Sequence, residues 1–314
     1  MNLLSSLKYL VALHEHKHFG RAAQACHITQ PALSNALRAL EAEFNVVIVK
    51  RDRTYAGLTP EGERVLATAH FMLHEHTLLQ QELSSDTNLP RGGMCIGAVP
   101  TAMPIAARFA AMLQAKHPGI LPSVLSLSSA DLEKGLGDLS IDLALGYTER
   151  MDLQGTRLKA WPQYTEHYFV LRRAAQPHPD GLQIGPKMLW KDAAKLSLCL
   201  LTPDMHNRMI VDAAFTAAGV PAKPVIETNS ILTMALSVVA GKVCSVMPGA
   251  LVGVVRGYRE LEALPLTGPE IRTAVGFMSH SAARPSRALE AALTLAQDSA
   301  WLRHAAAHSG LLVA

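Results

Sequence analysis

The sequence predicts an α/β protein with a helical head, and three observations carry that prediction. Short helical patterns fill residues 1–45. A single long helical pattern follows the start signal Thr59-Pro60-Glu61. Beyond Pro90, short apolar strands alternate with amphipathic helices, the order that builds a largely parallel sheet covered by helices. At 314 residues the chain has length for two or three domains. With 49% of residues apolar it can bury a core without crosslinks.

In the head, Leu3, Leu7, Leu10, Val11 and His14 recur at helical spacing. A second short helix is expected over residues 20–25, then a break at Cys26-His27-Ile28-Thr29. Thr29 can cap a third helix, with Pro31 tolerated in a first turn whose N–H groups lack partners. That helix should bury Leu33, Leu37, Leu40 and Phe44 and stop at Asn45, a residue that accepts the left-handed conformation. Residues 46–49 and 57–58 read as a small hairpin around the basic tip Lys50-Arg51-Asp52-Arg53.

The long helix opens with a capping Thr, Pro at the first position and acids in the first turn. Val65, Ala69, Met72, His76, Leu79 and Leu83 form a narrow seam, the pattern of a helix that packs on another, here one from a second subunit. Packing on its own domain is the alternative. Residues 84–88 should end it, with a hinge at Pro90-Arg91-Gly92-Gly93.

In the body, residues 94–98 read as a strand, followed by a helix through Ile105, Phe109 and Met112. A strand at 124–127, a helix at 132–136 and a strand at 142–145 follow. The second half repeats the idea: strand 196–201, helix 206–218 ended by Gly219, strand 225–228, a helix ended by Gly241, and strand 243–247. No run of about 18 apolar residues and no signal pattern occurs, so an unexported chain is expected. Cys26, Cys95, Cys199 and Cys244 stand far apart without a C-x-x-C pair, which disfavours zinc or a disulfide framework and suits a reducing cytoplasm.

Charge is unevenly placed. The first sixty residues hold seven Lys/Arg against four Asp/Glu, the whole of the net +3. A polyanion-binding head on a neutral body is one reading, and a few solvated basic side chains the other. The two abutting helices favour the first. In a helix-turn-helix the second helix enters the major groove while its other face holds the fold. Gln30, Ser34, Asn35 and Arg38 lie opposite Leu33, Leu37 and Leu40. Gln and Asn can pair bidentately with adenine and Arg with guanine. Arg21 and Thr29 flank the helix start and suit phosphate, Pro31 stands among the DNA-contacting residues of the first turn, and Lys50, Arg51 and Arg53 would form a wing on the backbone or minor groove.

The stretch AAQACHITQPALSNALRALEAEFNVVIVKR, with the following LTPEGE, resembles the N-terminal domain of LysR-type transcriptional regulators. Ala22, Ala23, Ile28, Thr29, Gln30, Pro31, Ala32, Leu33, Ser34, Leu37, Leu40, Glu41, Arg51, Leu58, Thr59 and Gly62 fit that pattern. Cys26 stands where the family usually has Leu, Asn45 replaces a common Gly, and Val49-Lys50 replaces a usual Phe-Glu. The resemblance implies a winged helix-turn-helix over 1–60, a linker helix and hinge over 61–91, and an effector domain over 92–314. That last domain would resemble periplasmic binding proteins, with one lobe at 92–163 and 269–314 and the other at 164–268. Its implied partners are double-stranded operator DNA and further copies of the chain, a homodimer through the linker helix or a tetramer, with room for an RNA polymerase contact and none for a membrane.

Four strand-to-helix junctions carry small polar residues: Pro100-Thr101-Ala102, Ser128-Ser129, Thr202, and Asn229-Ser230. Helix N-termini attract anions, and in parallel sheets they gather at the crevice where strand order reverses. A small anionic effector, most simply a carboxylate, is the resulting hypothesis, with Tyr147, His206 and Arg208 near enough in sequence to assist. For any single residue, helix capping accounts for it equally well, as in Ser128 with Asp131.

Two other features point elsewhere. His14, His16, His18, His74 and His76 suggest a metal, but only His14 and His18 share a helical face and no Cys or carboxylate completes a set. Some regulators of the resembling kind sense peroxide through a cysteine pair, which puts Cys199 forward. It lies in an apolar strand with no Cys a few turns on, so a buried inert thiol is expected. The chain lacks G-x-S-x-G, H-E-x-x-H, P-loop and dinucleotide glycine patterns, which opposes an enzyme, and the basic head opposes a solute-binding protein. The reading is a DNA-binding regulator controlled by a small ligand, without metal or cofactor, with redox control through Cys199 as the alternative.

Overall fold

The computed structural model describes residues 2–51, 55–83, 89–150, 158–281 and 284–310. Two compact units are distinguished, one of residues 1–88 with 137–140, the other of 89–136 with 141–314.

The first unit opens with α1 (Leu3–His16), α2 (Phe19–Ala25) and α3 (Gln30–Phe44). The local signals act as expected. Thr29 accepts the Ala32 N–H at 3.3 Å, and Asn45 closes α3 at φ 52°. His18, which the sequence did not single out as a cap, accepts from the N–H groups of Gly20 and Arg21. Leu33, Leu37 and Leu40 meet Leu7, Leu10, Leu13, Ala22 and Ala23 in one core. Phe44 does not join them and is 42% exposed, because the chain reverses at Asn45 and Ile48 fills that end of the core.

The wing is β1 (Val49–Arg51) paired antiparallel with β2 (Tyr55–Leu58). It begins at Val49 rather than at residue 46 for a specific reason. Glu41 Oε1 accepts the N–H groups of Ile48 and Val49 at 3.0 Å each, tying that stretch to α3 instead of to a strand partner. Arg53, residues 84–88 and the side chains of Arg51 and Leu83 lie outside the described residues.

Next comes α4 (Pro60–Leu83). Thr59 caps it, accepting the Gly62 N–H at 2.9 Å and donating to the Val47 carbonyl at 2.5 Å. A Cβ on Gly62 would collide with the Ile48 carbonyl oxygen, so only glycine lets α4 seat against the wing. The expected seam divides. Ala69 is fully buried in the unit's own core, whereas Met72 and Leu79 are 41% and 52% exposed.

The second unit runs β3 (Gly92–Ala98), α5 (Met103–Lys116), β4 (Ile120–Ser126), α6 (Ser129–Gly137), β5 (Leu143–Tyr147) and β6 (Leu158–Arg173). It continues with β7 (Gln183–Ile184), β8 (Met188–Leu189), α7 (Trp190–Ala193), β9 (Leu198–Leu201), α8 (His206–Ala217), β10 (Pro224–Thr228) and α9 (Ile231–Ala240). Last come β11 (Cys244–Pro248), α10 (Gly249–Val252), β12 (Leu261–Thr267), β13 (Arg272–His280), α11 (Arg287–Ala296) and α12 (Ser299–Ala307).

The sheet is mixed rather than largely parallel. Strands β3, β4 and β5 pair parallel, as do β9, β10 and β11. The sixteen-residue β6 joins the two sets by antiparallel pairing. Its residues from Leu158 to His167 pair with β13, and those from Tyr168 onward pair with β11 and β12. Side chains alternate along it as a strand requires. Phe169 and Leu171 enter a core with Met234, Val238 and Met247, while Tyr168 and Val170 face Trp190, Val211 and Phe215. The first half has its own core, in which Phe109 packs 4.3 Å from Phe277 and 5.0 Å from Trp301.

Candidate nucleic-acid interface and ligand pocket

In the first unit, the outer face of α3 presents Gln30, Pro31, Asn35 and Arg38 to solvent, with Ser34 half-buried between them. Arg21 and Thr29 are exposed at the start of the helix and Lys50 on the wing. Arg21 is not wholly free, since its Nη2 donates to the His16 carbonyl at 2.9 Å, an arrangement that fixes the guanidinium beside the turn. Apart from apolar Pro31, these side chains bear donors and acceptors of the types that read base edges and phosphates.

In the second unit, Pro100, Thr101, Ser128, Ser129, Tyr147 and His206 line one narrow pocket. These are six of the nine residues singled out for a ligand. Ala102 instead packs fully buried in the core, Thr202 stands outside the lining, and exposed Asn229 borders a separate apolar groove. The sequence did not single out Asn207, which also lines the pocket. Its place one residue inside a helix that follows a strand was the available signal.

The walls come from local structure. Ser128 caps α6, accepting the Asp131 N–H at 3.1 Å and donating to that carboxylate at 2.6 Å, so for Ser128 the capping role is real. Ser129 is different: its hydroxyl is buried without a hydrogen-bond partner. Helix α8 begins after Met205 without a side-chain cap, leaving positive N-terminal charge near His206 and Asn207. Thr202 adds a second buried hydroxyl with no partner.

Behind Ser129 lies a polar network. Thr101 Oγ1 stands 2.8 Å from the Tyr147 hydroxyl. Asn207 Nδ2 donates to the hydroxyls of Tyr147 at 3.0 Å and Tyr168 at 3.3 Å, and Tyr168 is 3.4 Å from Thr273 Oγ1. Glu166 is fully buried in the same region. Burial lifts its carboxyl to about 8, against the opposing pull of the Tyr147 and Tyr168 hydroxyls. Neither contact reaches the geometry of a formed hydrogen bond, and both carboxyl oxygens are unpartnered.

At the pocket's edge Arg150 bonds Glu133 at 2.9 Å and meets His206 Nδ1 at 3.3 Å. Arg208 cannot serve a ligand as the sequence suggested. Its guanidinium is held by Asp212, Glu227 and the Leu201 carbonyl. The pocket has about 20 Å³ of free space, room for roughly one water. A larger ligand must part its walls. A groove of about 760 Å³ along β12 and an apolar one of about 680 Å³ beside α9 are roomier, but no unpartnered buried polar atom lines either.

The described residues contain no His/Cys/Asp/Glu group able to hold a metal, and none of their helices is long and apolar enough to cross a membrane. Cys199 is fully buried, and burial raises its thiol above the ordinary range.

Comparison with known proteins locates two family domains. Residues 4–63 match the bacterial regulatory helix-turn-helix protein of the lysR family, and residues 87–301 match the LysR substrate binding domain. The chain is 38% identical over 101 residues to the DNA-binding transcriptional dual regulator OxyR of Escherichia coli, which covers 32% of this chain and 33% of that protein. It is 31% identical over 167 residues to an SDS degradation transcriptional activation protein of a Pseudomonas species, covering 52% and 55%. The chain thus spans about a third to a half of the length of the curated relatives it matches. Among solved structures, a full-length OxyR from Pseudomonas aeruginosa carrying a cysteine-to-aspartate substitution superposes with TM-score 0.70 at 25% identity, over 93% of this chain and 96% of that one. CbnR complexed with its target DNA superposes with TM-score 0.64 at 17% identity, over 96% and 99%, a likeness of fold alone.

Proposed function

The chain belongs to the LysR family of bacterial helix-turn-helix regulators, and from that premise we propose that it switches transcription in response to a small anion held between Thr101, Ser129 and the start of α8. It acts by binding and not by chemistry. The observation that carries the ligand class is the unpartnered Ser129 hydroxyl beside an uncapped helix start, both of which an anion would satisfy. A carboxylate is the simplest such group, and Arg150 stands ready to trade Glu133 for it.

The domain limits proposed are 1–60 for the winged head, 61–91 for the linker helix and hinge, and 92–314 for the effector domain. Within the last, one lobe takes 92–163 and 269–314, the other 164–268. Recognition of operator DNA falls to Gln30, Ser34, Asn35 and Arg38, with Arg21, Thr29, Lys50, Arg51 and Arg53 on the backbone and Pro31 packing by shape at the start of the helix. Exposed Met72 and Leu79 support a homodimer through α4, two of which would make a tetramer. Effector binding shifts the balance between quaternary arrangements and with it the operator contacts. The site of action is the cytoplasm, where the DNA is.

A relative named a hydrogen peroxide-inducible genes activator, 38% identical over 101 residues, raises redox control as a second reading. The buried, high-pKa thiol of Cys199 favours the ligand reading instead. A thermal-shift screen of small carboxylates and inorganic anions, followed by footprinting with each hit, tests the proposal. A protein that no anion stabilises, yet whose footprint changes with peroxide, would reverse the order of the two readings.

A further inference from the structure

We propose that Asn207 fixes Thr101 as a hydrogen-bond donor toward the effector, acting as a positioning residue through the hydroxyl of Tyr147. The inference rests on the anion site proposed above and names the residue that gives that site its polarity.

A run of hydrogen-bonded side chains leads away from the pocket. Thr101 Oγ1 lies 2.8 Å from the Tyr147 hydroxyl. That hydroxyl lies 3.0 Å from Asn207 Nδ2, and the same nitrogen lies 3.3 Å from the Tyr168 hydroxyl. Thr273 Oγ1 ends the run, 3.4 Å from Tyr168. Strand β5 supplies Tyr147, α8 supplies Asn207 in its first turn, and β6 supplies Tyr168.

The amide nitrogen in the middle has no choice of direction. It donates and cannot accept, so both phenols take a proton from it. Each phenol then has one proton of its own to place. For Tyr147 the acceptor in reach is Thr101 Oγ1, since the carboxyl oxygens of Glu166 are unpartnered and take no share. Reversing that link would strand the Tyr147 proton in a buried place without an acceptor, a state that buried polar groups avoid. Thr101 therefore accepts from Tyr147 and keeps its own proton. Its hydroxyl has no second partner among the described residues, and Thr101 lines the pocket, so the proton is left for the ligand. The second N–H of Asn207, held by Tyr168, keeps the amide from turning.

An oxygen of an anion completes this run of donors from amide to phenol to hydroxyl, each bond polarising the next. The site thereby favours an acceptor without a buried cation, in keeping with the commitment of Arg208 to Asp212 and Glu227. A carboxylate in place of the amide would reverse every link. Both phenols would donate to it, Thr101 would donate to Tyr147, and Thr101 would turn only lone pairs to the pocket.

A double-mutant cycle, read by calorimetric titration of acetate into the full chain, tests the assignment. Asn207→Asp keeps the shape of the side chain and reverses its polarity. Tyr147→Phe cuts the relay and leaves the Thr101 proton without a competitor. Asn207→Asp should weaken acetate on the order of tenfold more with Tyr147 in place than in the Tyr147→Phe background. Direct repulsion by the new carboxylate acts in both backgrounds and cancels from that ratio. Asn207→Leu, which removes the donor without adding charge, should show coupling of the same sign, roughly threefold. A merely structural Asn207 would lose affinity equally in both backgrounds. Equal losses, with Thr101→Val still weakening acetate, would overturn the inference and leave the anion site standing. If the wild type binds no acetate, or Thr101→Val binds it as the wild type does, the site and this inference fall together. Should Asn207→Asp fail to fold, the cycle with Asn207→Leu decides by the same criterion.

Discussion

Arg150 Nη1 lies 3.3 Å from His206 Nδ1 while its Nε holds Glu133 at 2.9 Å. A guanidinium can only donate, so His206 must present a bare Nδ1 and carry its proton on Nε2. The strap thus ties α6 to α8 across the pocket and works only with a neutral imidazole. Burial first, and the Arg150 charge second, hold the His206 pKa below its ordinary value. Arg150→Met should therefore raise it, the more so because Glu133 stays behind and pulls the same way. Imidazole NMR titration reads this directly, and an unchanged or lower pKa would refute the contact.

Recognition and anchoring in the head should separate by mutation. Asn35→Ala removes a side chain suited to a base edge and should cost about 1–3 kcal/mol on the operator but little on random DNA. Lys50→Ala should weaken binding to both and reduce the salt slope by roughly one. Affinity measured on both DNAs over a salt series distinguishes the two patterns, and equal losses for the two variants would remove α3 from the major groove.

Met72→Glu with Leu79→Glu should split the assembly, because these side chains are too exposed to serve the head's own core. Light scattering is expected to show a smaller particle, and footprints on two-fold symmetric sites should be lost. An unchanged particle would move the interface off α4.

Ser129→Ala and Thr101→Val should each weaken the effector by about one to two decades, the usual cost of a hydrogen bond to a charged ligand. Operator binding without effector should stay near wild type. A purely structural role would instead lower the melting temperature and DNA binding together.

Glu166 also marks the stability curve. The folded protein keeps its proton to about 8, whereas the ordinary carboxyl value is 4.5. The folded state therefore binds more protons between these values, and stability falls as pH rises through that window. The contribution is complete below the lower value and lost above the upper one. Thermal unfolding across the window should decline more steeply for wild type than for Glu166→Gln, and parallel curves would place the carboxyl's pKa near the ordinary value.

Where a residue acts on the backbone of its near neighbours, the sequence was a sufficient guide. Thr29, Asn45 and Thr59 were legible because capping is local chemistry. Gly62 is explained only by the Ile48 carbonyl fourteen residues earlier in the chain, a contact that no periodicity encodes. The strand-to-helix junctions were visible, and six of the residues at or near them share a pocket, but the reading could not tell Ser128, a satisfied cap, from Ser129, an unsatisfied one. It was silent on β6, β12 and β13, whose long-range antiparallel pairing makes the sheet mixed. Glu166 escaped notice for a related reason, since a charged residue in a strand is ordinarily a solvated one. The fold buries it completely, and that burial holds its carboxyl neutral well above the ordinary value.

Because β6 trades β13 for β11 and β12 between His167 and Tyr168, it behaves as an axle shared by two wheels. Sliding one half past the other would break register along every pair on that side and expose alternate side chains, whereas twisting about the strand leaves each ladder whole. The permitted movement is therefore a rotation whose pivot lies beside Glu166. A change of angle at that pivot would alter the space between α6 and α8 with the least loss of pairing, so the strand's change of neighbours sets the axis about which the two halves can turn.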